Sequence, residues 1–588
     1  MPSKRTASVA AAVLLSVGGA VADQPSFSDS SAYAAFANKT DGFPRQTFRS
    51  SDIIAPVLQV NSWDKTQTDD SSYIFIGASY GKEKAAPMIL SGKDLSLVYA
   101  DQQYDQVYSS SVQTFNGTKY ITFWEGSHGD SSADGRWLMY DSKYELKYNL
   151  TAQGSKNLRN DMPDMRVTRD NTILLATYET VSFDCSAAGG PKEAPLLDSG
   201  FQEMDPATNK VLFEWSARQH FNLSDSFIKY NKDFNVGSPP VFDYFHLNSV
   251  EKSDDGNYLV SSSHFCMLAM IDGRDGHVIW TLGGKNNDFK DLSGGNATNF
   301  AWQHDAQLSG ASDIILFDNH VPSTEHCDSN CASRGLRLRL DQEQKTVELV
   351  QEFYHPESVN SGHMGGVQLL KEGHTMVAWG DNPSFVEYNK AGQPVMDVQR
   401  GLLGVGFQEG MYAYRVSRHR WQGEPSWPPS VAVDAPSKST SNATVYVSWN
   451  GATDVAQWAI LASDTAETVS NYKNVIAQVN RTGFETQITL DSALTRRYIG
   501  AAAVSAGGDV MGASFVYDMR TGKAVMQSSG ITTINPPVKA TAAAGAMGGS
   551  IFGVSMLFYI CNYFWRRKGL PVPVADHLTY EKVGSSAV

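Results

Sequence analysis

A short unit of strand, strand, turn and strand recurs along most of this chain, and it restricts the possible folds more than any other feature. Between Asp255 and Gly284 the unit reads DGNYLVSSS, CMLAMID, GRDG and HVIWTLGG. Comparable units occur from Ile53 to Arg400, about six of them with a period of roughly 40 to 60 residues. Each such sheet buries its faces only against its neighbours, so the repeat predicts an all-β fold with a six-bladed β-propeller. Two packed β-sandwiches are the alternative arrangement.

A proline-rich break separates this repeat from a second β-rich region. The break runs from Trp421 to Thr440, and about 80 residues of short alternating strands follow it. The size of this region favours an immunoglobulin- or fibronectin-like β-sandwich that serves as a stalk. We therefore predict a propeller over residues 23–428, a β-sandwich over residues 429–518 and a linker over residues 519–539.

Both ends of the chain carry apolar segments. Residues 1–22 combine Lys4 and Arg5 with an apolar stretch and a small-residue Ala-Val-Ala sequence, which predicts a cleaved signal peptide. Residues 540–565 are uncharged and long enough for a transmembrane helix, and the basic triplet after them predicts a cytosolic tail over residues 566–588. We expect a single-pass type I membrane protein whose propeller faces the lumen or the cell exterior. Glycines at four-residue spacing permit a homodimer through this helix: Gly545, Gly549 and Gly553.

Cysteines and glycosylation sequons agree with export. The lumenal side carries four of the five cysteines, which could form two disulfides in any pairing: Cys185, Cys266, Cys327 and Cys331. Asn-x-Ser/Thr sequons fall between the two apolar segments, at Asn38, Asn116, Asn149, Asn222, Asn296, Asn442 and Asn480.

Composition and motifs exclude several classes of function. With 62 acidic against 48 basic residues, a formal charge of −14 and no basic patch, nucleic acid is not an expected partner. The sequence has no Walker loop, no Rossmann glycine pattern and no Gly-x-Ser-x-Gly elbow, so no cofactor is predicted. One short stretch contains metal-ligand residue types whose spacing fits no common zinc pattern, and no metal site is predicted there: His320, His326, Cys327 and Cys331.

Polar residues at predicted strand ends are the candidates for a site. In a propeller, loops from distant blades converge at the mouth of the central channel. The candidates at or near such ends are His246, Asn248, His264, His304 and Asp305, and we expect them to meet at this mouth. The alternative is that they only cap strands and tie loops together.

Several of these segments also resemble a known family. DYFHLNSV, DGNYLVSSSH, FAWQHDAQ, IILFDN and HTMVAWGDNPSFVEYN occur in the order found in the fungal branch of the arylsulfotransferase (arylsulfate sulfotransferase-like) family, and the resemblance extends from Phe48 to Trp427. It implies a six-bladed propeller that moves a sulfuryl group from an aryl sulfate to a phenol without a nucleotide donor, through a sulfated histidine. His304 is then the nucleophile, and His246 and Asn248 hold the sulfuryl or phenolic oxygens.

Two positions depart from the family pattern. Ser263 stands where an arginine is usual, and serine cannot replace a permanent bidentate cation, although the adjacent His264 could do so in part when protonated. Pro163 and Asp164 stand where an upstream histidine is usual. These departures leave a second function open: a propeller without turnover that binds a ligand, glycan or protein partner at the channel mouth.

Overall fold

The computed structural model describes residues 23–40, 42–78, 85–128, 133–231, 241–320, 332–403, 412–434, 443–491, 493–526 and 528. Within them the protein is mostly β, as the sequence predicts. The chain divides into two units. Unit 1 comprises Met1–Pro425, Trp449–Thr453 and Thr482–Thr486, and unit 2 comprises Ser426–Ser448, Asp454–Arg481 and Gln487–Val588. The signal peptide and the transmembrane helix were predicted for stretches outside the described residues, and no described helix is long and apolar enough to span a bilayer.

Six antiparallel sheets, built on four strands each, make up the described framework of unit 1. The leading strand of each sheet is the edge strand named first below, and the other strands follow in hydrogen-bonding order. Sheet 1 consists of Val416–His419, Tyr73–Ala78, Ala86–Ser91 and Leu97–Ala100. Sheet 2 consists of Val107–Phe115, Thr118–His128, Ala133–Tyr140 and Leu146–Leu150. Sheet 3 consists of Leu158–Val167, Ile173–Phe183, Ala194–Asp205 and Lys210–Ser216.

The remaining three sheets repeat this plan, again with the leading strand first. Sheet 4 consists of Leu247–Lys252, Tyr258–Ser262, Met267–Ile271 and Val278–Gly283. Sheet 5 consists of His304–Ser309, Asp313–Asp318, Arg334–Asp341 and Thr346–Tyr354. Sheet 6 consists of Gly366–Leu369, Thr375–Ala378, Ser384–Tyr388 and Pro394–Gln399.

The leading strands bring the six sheets into a propeller-like sequence of neighbours. The leading strand of sheet 1 contacts that of sheet 2, and the contacts continue in order through sheets 3, 4 and 5 to sheet 6. The second strand of sheet 6 in turn contacts Val416–His419. The leading strand of sheet 1 therefore comes from the far end of the repeat rather than from the segment beside its partners.

Short elements from the N-terminal region and the loops extend this framework. Leu58–Trp63 pairs antiparallel with Pro394–Gln399, and Ser26–Phe27 pairs parallel with Leu58–Trp63. Two further strands join sheets 3 and 5 by parallel pairing: Phe242–Asp243 and Lys290–Asp291. Arg45–Thr47 and Ile54–Pro56 form a separate pair. The described helices of this unit are the α-helix Ser30–Lys39 and the 3-10 turns Ser186–Ala188, Ala217–Gln219, Leu223–Asp225 and Lys371–Gly373.

Apolar residues fill the space between adjacent sheets. Met267–Ile271 is buried at every position because the sheet is covered on both faces, so its sequence does not alternate. Trp280 of sheet 4 shares a core cluster with Leu316 of sheet 5 and packs edge-on against Phe289, with ring centroids 5.3 Å apart. Gly283 has a φ of 82°, and a Cβ there would lie 2.6 Å from Cζ of Phe300, so the position needs glycine.

Two sheets account for the described strands of the second β-rich region. The first consists of Ser430–Asp434, Ala443–Ser448 and Glu485–Leu490. The second consists of Val475–Asn480, Val455–Ser463, Tyr498–Ser505, Val516–Asp518 and Lys523–Met526, with Val510–Ala513 paired to Tyr498–Ser505. Two 3-10 turns connect strands of this region: Ala466–Thr468 and Tyr472–Asn474.

Candidate active site

The starts of the leading strands depart from regular strand geometry. The pairing register shifts between Leu247 and Ser249 in sheet 4 and between His304 and Gln307 in sheet 5. His246 has a φ of 54° and Asp305 a φ of 59°, both in the left-handed region that non-glycine residues rarely adopt. Such backbone strain tends to concentrate where side chains must be aimed for function.

His304 begins the leading strand of sheet 5 and is 6% exposed. Its Nδ1 lies 2.7 Å from Oδ1 of Asn319 and 3.0 Å from the carbonyl oxygen of Trp302. Because both neighbours are acceptors, Nδ1 carries the proton and donates, which leaves the lone pair on Nε2. Burial and the nearby Arg415 cation lower the pKa of His304 well below its ordinary value of 6.5, so the ring is neutral at pH 7.

Asn319 fixes this tautomer from the end of the next strand. Its Nδ2 donates to the carbonyl oxygens of Ser361 and Met364, at 2.9 and 3.0 Å. These two bonds assign the orientation of the amide and place Oδ1 toward His304. Asn319 is fully buried, so the contact is shielded from competing water.

His246 forms a tight pair with Asp243. Its Nδ1 lies 2.5 Å from Oδ2 of the carboxylate. Burial works against charge on both groups, but their mutual attraction prevails and raises the pKa of His246 while it lowers that of Asp243. Asp243 ends the short strand attached to sheet 3, and His246 immediately precedes the leading strand of sheet 4.

His264 lies in the turn between two strands of sheet 4. Its Nδ1 lies 2.8 Å from the carbonyl oxygen of Asp243 and donates to it. Burial lowers the pKa of His264 to about 4, so the ring stays neutral down to that pH. Ser263 beside it is buried, and both its amide nitrogen and its Oγ lie within hydrogen-bond distance of the carbonyl oxygen of His246.

The structure brings the three predicted imidazoles to one place. The ring centroids of His246 and His264 are 4.9 Å apart, and those of His264 and Trp302 are 5.9 Å apart. The carbonyl oxygen of Trp302 in turn accepts from His304. The ring centroid of Tyr178 lies 6.0 Å from that of His246.

Asn248 differs from the other predicted residues because it is fully buried. Its Nδ2 donates to the carbonyl oxygen of Gln303 at 2.6 Å, one residue before His304. Gln303 is also fully buried and donates to Oγ of Ser261 and to two carbonyl oxygens of sheet 4. Asn248 thus holds the backbone that carries His304.

A carboxylate and two arginines adjoin His304. Asp305 is 4% exposed, and its side chain accepts from Nη2 of Arg166 at 2.8 Å and from the amide nitrogen of Val367 at 3.1 Å. Nε of Arg415 lies 3.4 Å from the same carboxylate. Nη1 of Arg415 donates to the carbonyl oxygens of Gly365 and Tyr414, while its buried Nη2 has no hydrogen-bond partner among the described residues.

Asp161 supplies the acidic side of the site from sheet 3. Burial raises the pKa of this carboxyl to about 6, although His246 opposes the shift. The side chains of Pro163 and Asp164, where the family usually has a histidine, lie outside the described residues.

His363 is a further histidine close to the site. Its charge contributes to lowering the pKa values of His264 and His304, after burial and nearer groups. The exposed side chain of His363 pairs with Asp381, whose carboxylate lies 3.2 Å from Nδ1. This hydrogen bond to Asp381 raises the pKa of His363 and so favours its positively charged form at the edge of the site.

Sequence reasoning assigned no role in the site to three of its residues. Asn319 stands in the LFDN segment, whose local pattern indicates a turn that could also line the channel, and Asp243 stands three residues before His246. Both could have been found by asking which acceptors hold the two histidines. No local signal singles out Arg415, because only the contact between sheets 6 and 1 brings it close.

Other sequence predictions have mixed outcomes. Cys185 and Cys266 are free buried thiols, and no disulfide is seen among the described residues; Cys327 and Cys331 lie outside them, as does His326. His320 is buried beside Asp318. The sequon asparagines within the described residues are all exposed: Asn38, Asn116, Asn149, Asn222, Asn296 and Asn480. Asn442 lies outside them.

Residues 111–401 match the model of the arylsulfotransferase (ASST) family. A search of curated proteins finds no match. Solved structures with some similarity include a protein of unknown function from Bacteroides caccae, with 13% identity, 59% of this chain and 99% of that chain covered, and a TM-score of 0.36. The Dos1 propeller has 9% identity, with 68% and 79% of the two chains covered and a TM-score of 0.28. A luciferin-regenerating enzyme has 10% identity, with 61% and 99% covered and a TM-score of 0.30.

Proposed function

With the arylsulfotransferase match over residues 111–401 as the premise, we propose that unit 1 is a six-bladed β-propeller of the fungal branch of this family. It transfers sulfuryl groups from aryl sulfates to phenols, with His304 as the nucleophile. The observation that carries the proposal is the state of His304: a neutral imidazole whose Nδ1 proton is held by two oxygens, which leaves Nε2 free to attack.

The reaction balances in two steps. Nε2 of His304 attacks sulfur of the aryl sulfate, the bond from sulfur to the aryl oxygen breaks, and the phenolate leaves. The phenolic oxygen of the acceptor then attacks the sulfuryl group on His304, the sulfur–nitrogen bond breaks, and the acceptor's proton passes to the departed phenolate through solvent. Positive charge develops on the ring in the first step, and the carbonyl oxygens of Asn319 and Trp302 stabilise it through Nδ1.

Arg415 provides the cation that the sequence lacks at Ser263. Its Nε and Nη1 contact Asp305 and two carbonyl oxygens, so the guanidinium is pre-organised. Nη2, which has no hydrogen-bond partner among the described residues, is the donor available to the substrate. The charge acts on His304, as the lowered pKa of that ring indicates. A positioned donor of this kind contributes about 100- to 1,000-fold to turnover in acyl-transfer chemistry.

The other predicted residues take supporting places. Asn248 positions the segment before His304 through Gln303. His246 and His264 flank the same site, and His264 lies beside Trp302, whose half-buried ring is accessible to an aryl group.

The test is sulfuryl transfer by the full-length chain from 4-nitrophenyl sulfate to phenol, with nitrophenol release and mass spectrometry of the quenched enzyme. We expect release at pH 7 and one sulfuryl group on the peptide that contains His304. His304→Ala should lose at least about 100-fold in rate. His277→Ala, a half-exposed histidine in a turn of sheet 4, is the matched control and should keep full activity. Absence of release from pH 5 to 8, or an active His304→Ala variant, would overturn the proposal.

A second function is favoured by the acidic residues of the site. Asp161 and Asp243 lie close to His246, where a sulfate would meet two carboxyl groups. A propeller that binds a ligand, glycan or protein partner at this place without turnover would tolerate both. Binding of 4-nitrophenyl sulfate without release of nitrophenol distinguishes this function from transfer.

We also propose that the protein is a glycosylated, single-pass type I membrane protein with the site on the lumenal or extracellular side. The exposed sequon asparagines are compatible with glycans at each described position. Peptide N-glycosidase digestion and protease treatment of sealed vesicles of the secretory pathway, whose outer face is cytosolic, test this proposal together. An unchanged electrophoretic mobility after digestion, or a C-terminal tail that is protected from the external protease, would contradict it.

A further inference from the structure

The residues around Asp243 also contain a donor set that sulfuryl transfer does not use. Asp243, His246 and His264 each offer one ligand atom, and these atoms all lie within 4.8 Å of one another. Two imidazole nitrogens and one carboxylate oxygen suit a divalent first-row transition ion such as Zn²⁺, whereas Ca²⁺ and Mg²⁺ prefer oxygen ligands throughout.

A second observation points to a bound cation. The Asp243 side chain is 7% exposed, and its Oδ1 is buried with no hydrogen-bond partner among the described residues. Only Oδ2 is engaged within this part of the chain, by His246. A buried carboxylate oxygen without a partner is costly, and Oδ1 lies 4.0 Å from Nδ1 of His264.

The backbone that carries these three residues is held firmly. Asp243 lies in a strand of sheet 3, His246 precedes the leading strand of sheet 4, and His264 lies in a tight turn of the same sheet. The carbonyl oxygen of His246 accepts from the amide nitrogen of Ser263 at 3.1 Å, and that of His264 accepts from the amide nitrogen of Phe227 at 2.9 Å. Ligands on rigid elements bind a metal with little loss of entropy.

We infer that Asp243, His246 and His264 bind one divalent transition-metal ion. Three protein ligands leave coordination positions open, as in metal sites that bind water or an anionic ligand. No spacing signal in the sequence marks this site, because its residues form Asp-x-x-His followed by a distant histidine. The inference makes His246 and His264 metal ligands rather than groups that hold sulfuryl or phenolic oxygens, and it stands without the proposed transfer reaction.

The experiment uses the full-length chain, stripped of metal with a chelator and titrated with Zn²⁺ by calorimetry and with Co²⁺ by visible absorption. We expect one ion per chain with a dissociation constant in the micromolar range or below, and Co²⁺ d–d bands typical of imidazole and carboxylate ligation. Asp243→Asn and His264→Ala should weaken binding at least about 100-fold. Circular dichroism establishes that these variants are folded, and the wild-type Co²⁺ spectrum tests the site without any variant.

A matched control separates this site from a surface cluster. Asp272, Asp275 and His277 form a second possible ligand group, which is mostly exposed. His277→Ala should leave Zn²⁺ binding unchanged, and so should His304→Ala, which removes only the proposed nucleophile. Loss of binding in His277→Ala with retention in Asp243→Asn, or absence of binding in the wild type, would overturn the inference. Bound Zn²⁺ without nitrophenol release would refute the transfer reaction alone.

Discussion

Asp305 offers the sharpest test of how unit 1 is held together. Its carboxylate accepts from Arg166 of sheet 3 and Val367 of sheet 6, and it pairs with Arg415, which precedes the leading strand of sheet 1. One buried anion of sheet 5 therefore links four sheets. Asp305→Asn keeps the size of the side chain and tolerates the φ of 59°, but it removes the charge.

The expected cost is large because two cations lose the negative charge of this carboxylate. Removing one partner of a buried ion pair lowers the free energy of unfolding by about 3 to 5 kcal/mol. We expect the smaller value of about 3 kcal/mol because the Arg166 side chain is 29% exposed. With a urea m-value of about 3 kcal/mol/M, a loss of about 3 kcal/mol lowers the unfolding midpoint by about 1 M. Tryptophan fluorescence in a urea titration measures this shift.

An exposed ion pair of the same chemistry provides the control. Asp254 pairs with Arg169, and the two side chains are 69% and 83% exposed. Asp254→Asn should leave the midpoint within about 0.2 M of the wild type, because exposed pairs contribute little. Equal midpoints for Asp305→Asn and Asp254→Asn would refute the assignment of Asp305 as the central link.

Three other perturbations test the buried polar groups of unit 1. Asn319→Ala removes the closer of the two acceptors that hold the Nδ1 proton of His304, so we expect transfer from 4-nitrophenyl sulfate to fall about 100-fold in kcat with KM little changed; an unchanged kcat would contradict this. Burial raises the pKa of Asp397 to about 6, so its ionisation destabilises the folded state as pH rises through that value. Asp397→Asn should therefore stabilise the protein by about 2 kcal/mol at pH 7.5 and not at pH 3.5, and equal urea midpoints at pH 7.5 would count against it. Burial also raises the pKa of the Cys266 thiol to about 12, so iodoacetamide at pH 8 should label Cys266 only after unfolding; a residue that resists labelling in urea without reductant would instead be disulfide-bonded.

The strand repeat could be predicted because its signals are local. Turns such as SDDGN before Tyr258–Ser262 and GRDG before Val278–Gly283 are written in the sequence, and the strands between them are short and apolar. The closure of sheet 1 could not be predicted in this way. Its leading strand Val416–His419 pairs with Tyr73–Ala78, and no local pattern specifies a partner so far along the chain.

The candidate site also contains residues that the sequence could predict and residues that it could not. The resemblance to a family and the positions at strand ends led to His246, His264 and His304, which the structure places together. Their hydrogen-bond partners were harder to predict, because a partner is defined by distance in space. Asp243 and Arg415 act on these histidines in space: Asp243 raises the pKa of His246, and Arg415 adds to the effect of burial in lowering the pKa of His304.

The late arrival of Val416–His419 has a consequence for synthesis on the ribosome. Arg418 donates to Oγ of Ser72 at 3.0 Å across 346 residues of chain. At about 5 to 20 residues per second, the edge of Tyr73–Ala78 stays uncovered for roughly 20 to 70 seconds after it emerges. An unpaired apolar edge is a place where nascent chains stick to one another. We therefore expect this protein to depend on chaperones that shield its first sheet until elongation passes residue 419.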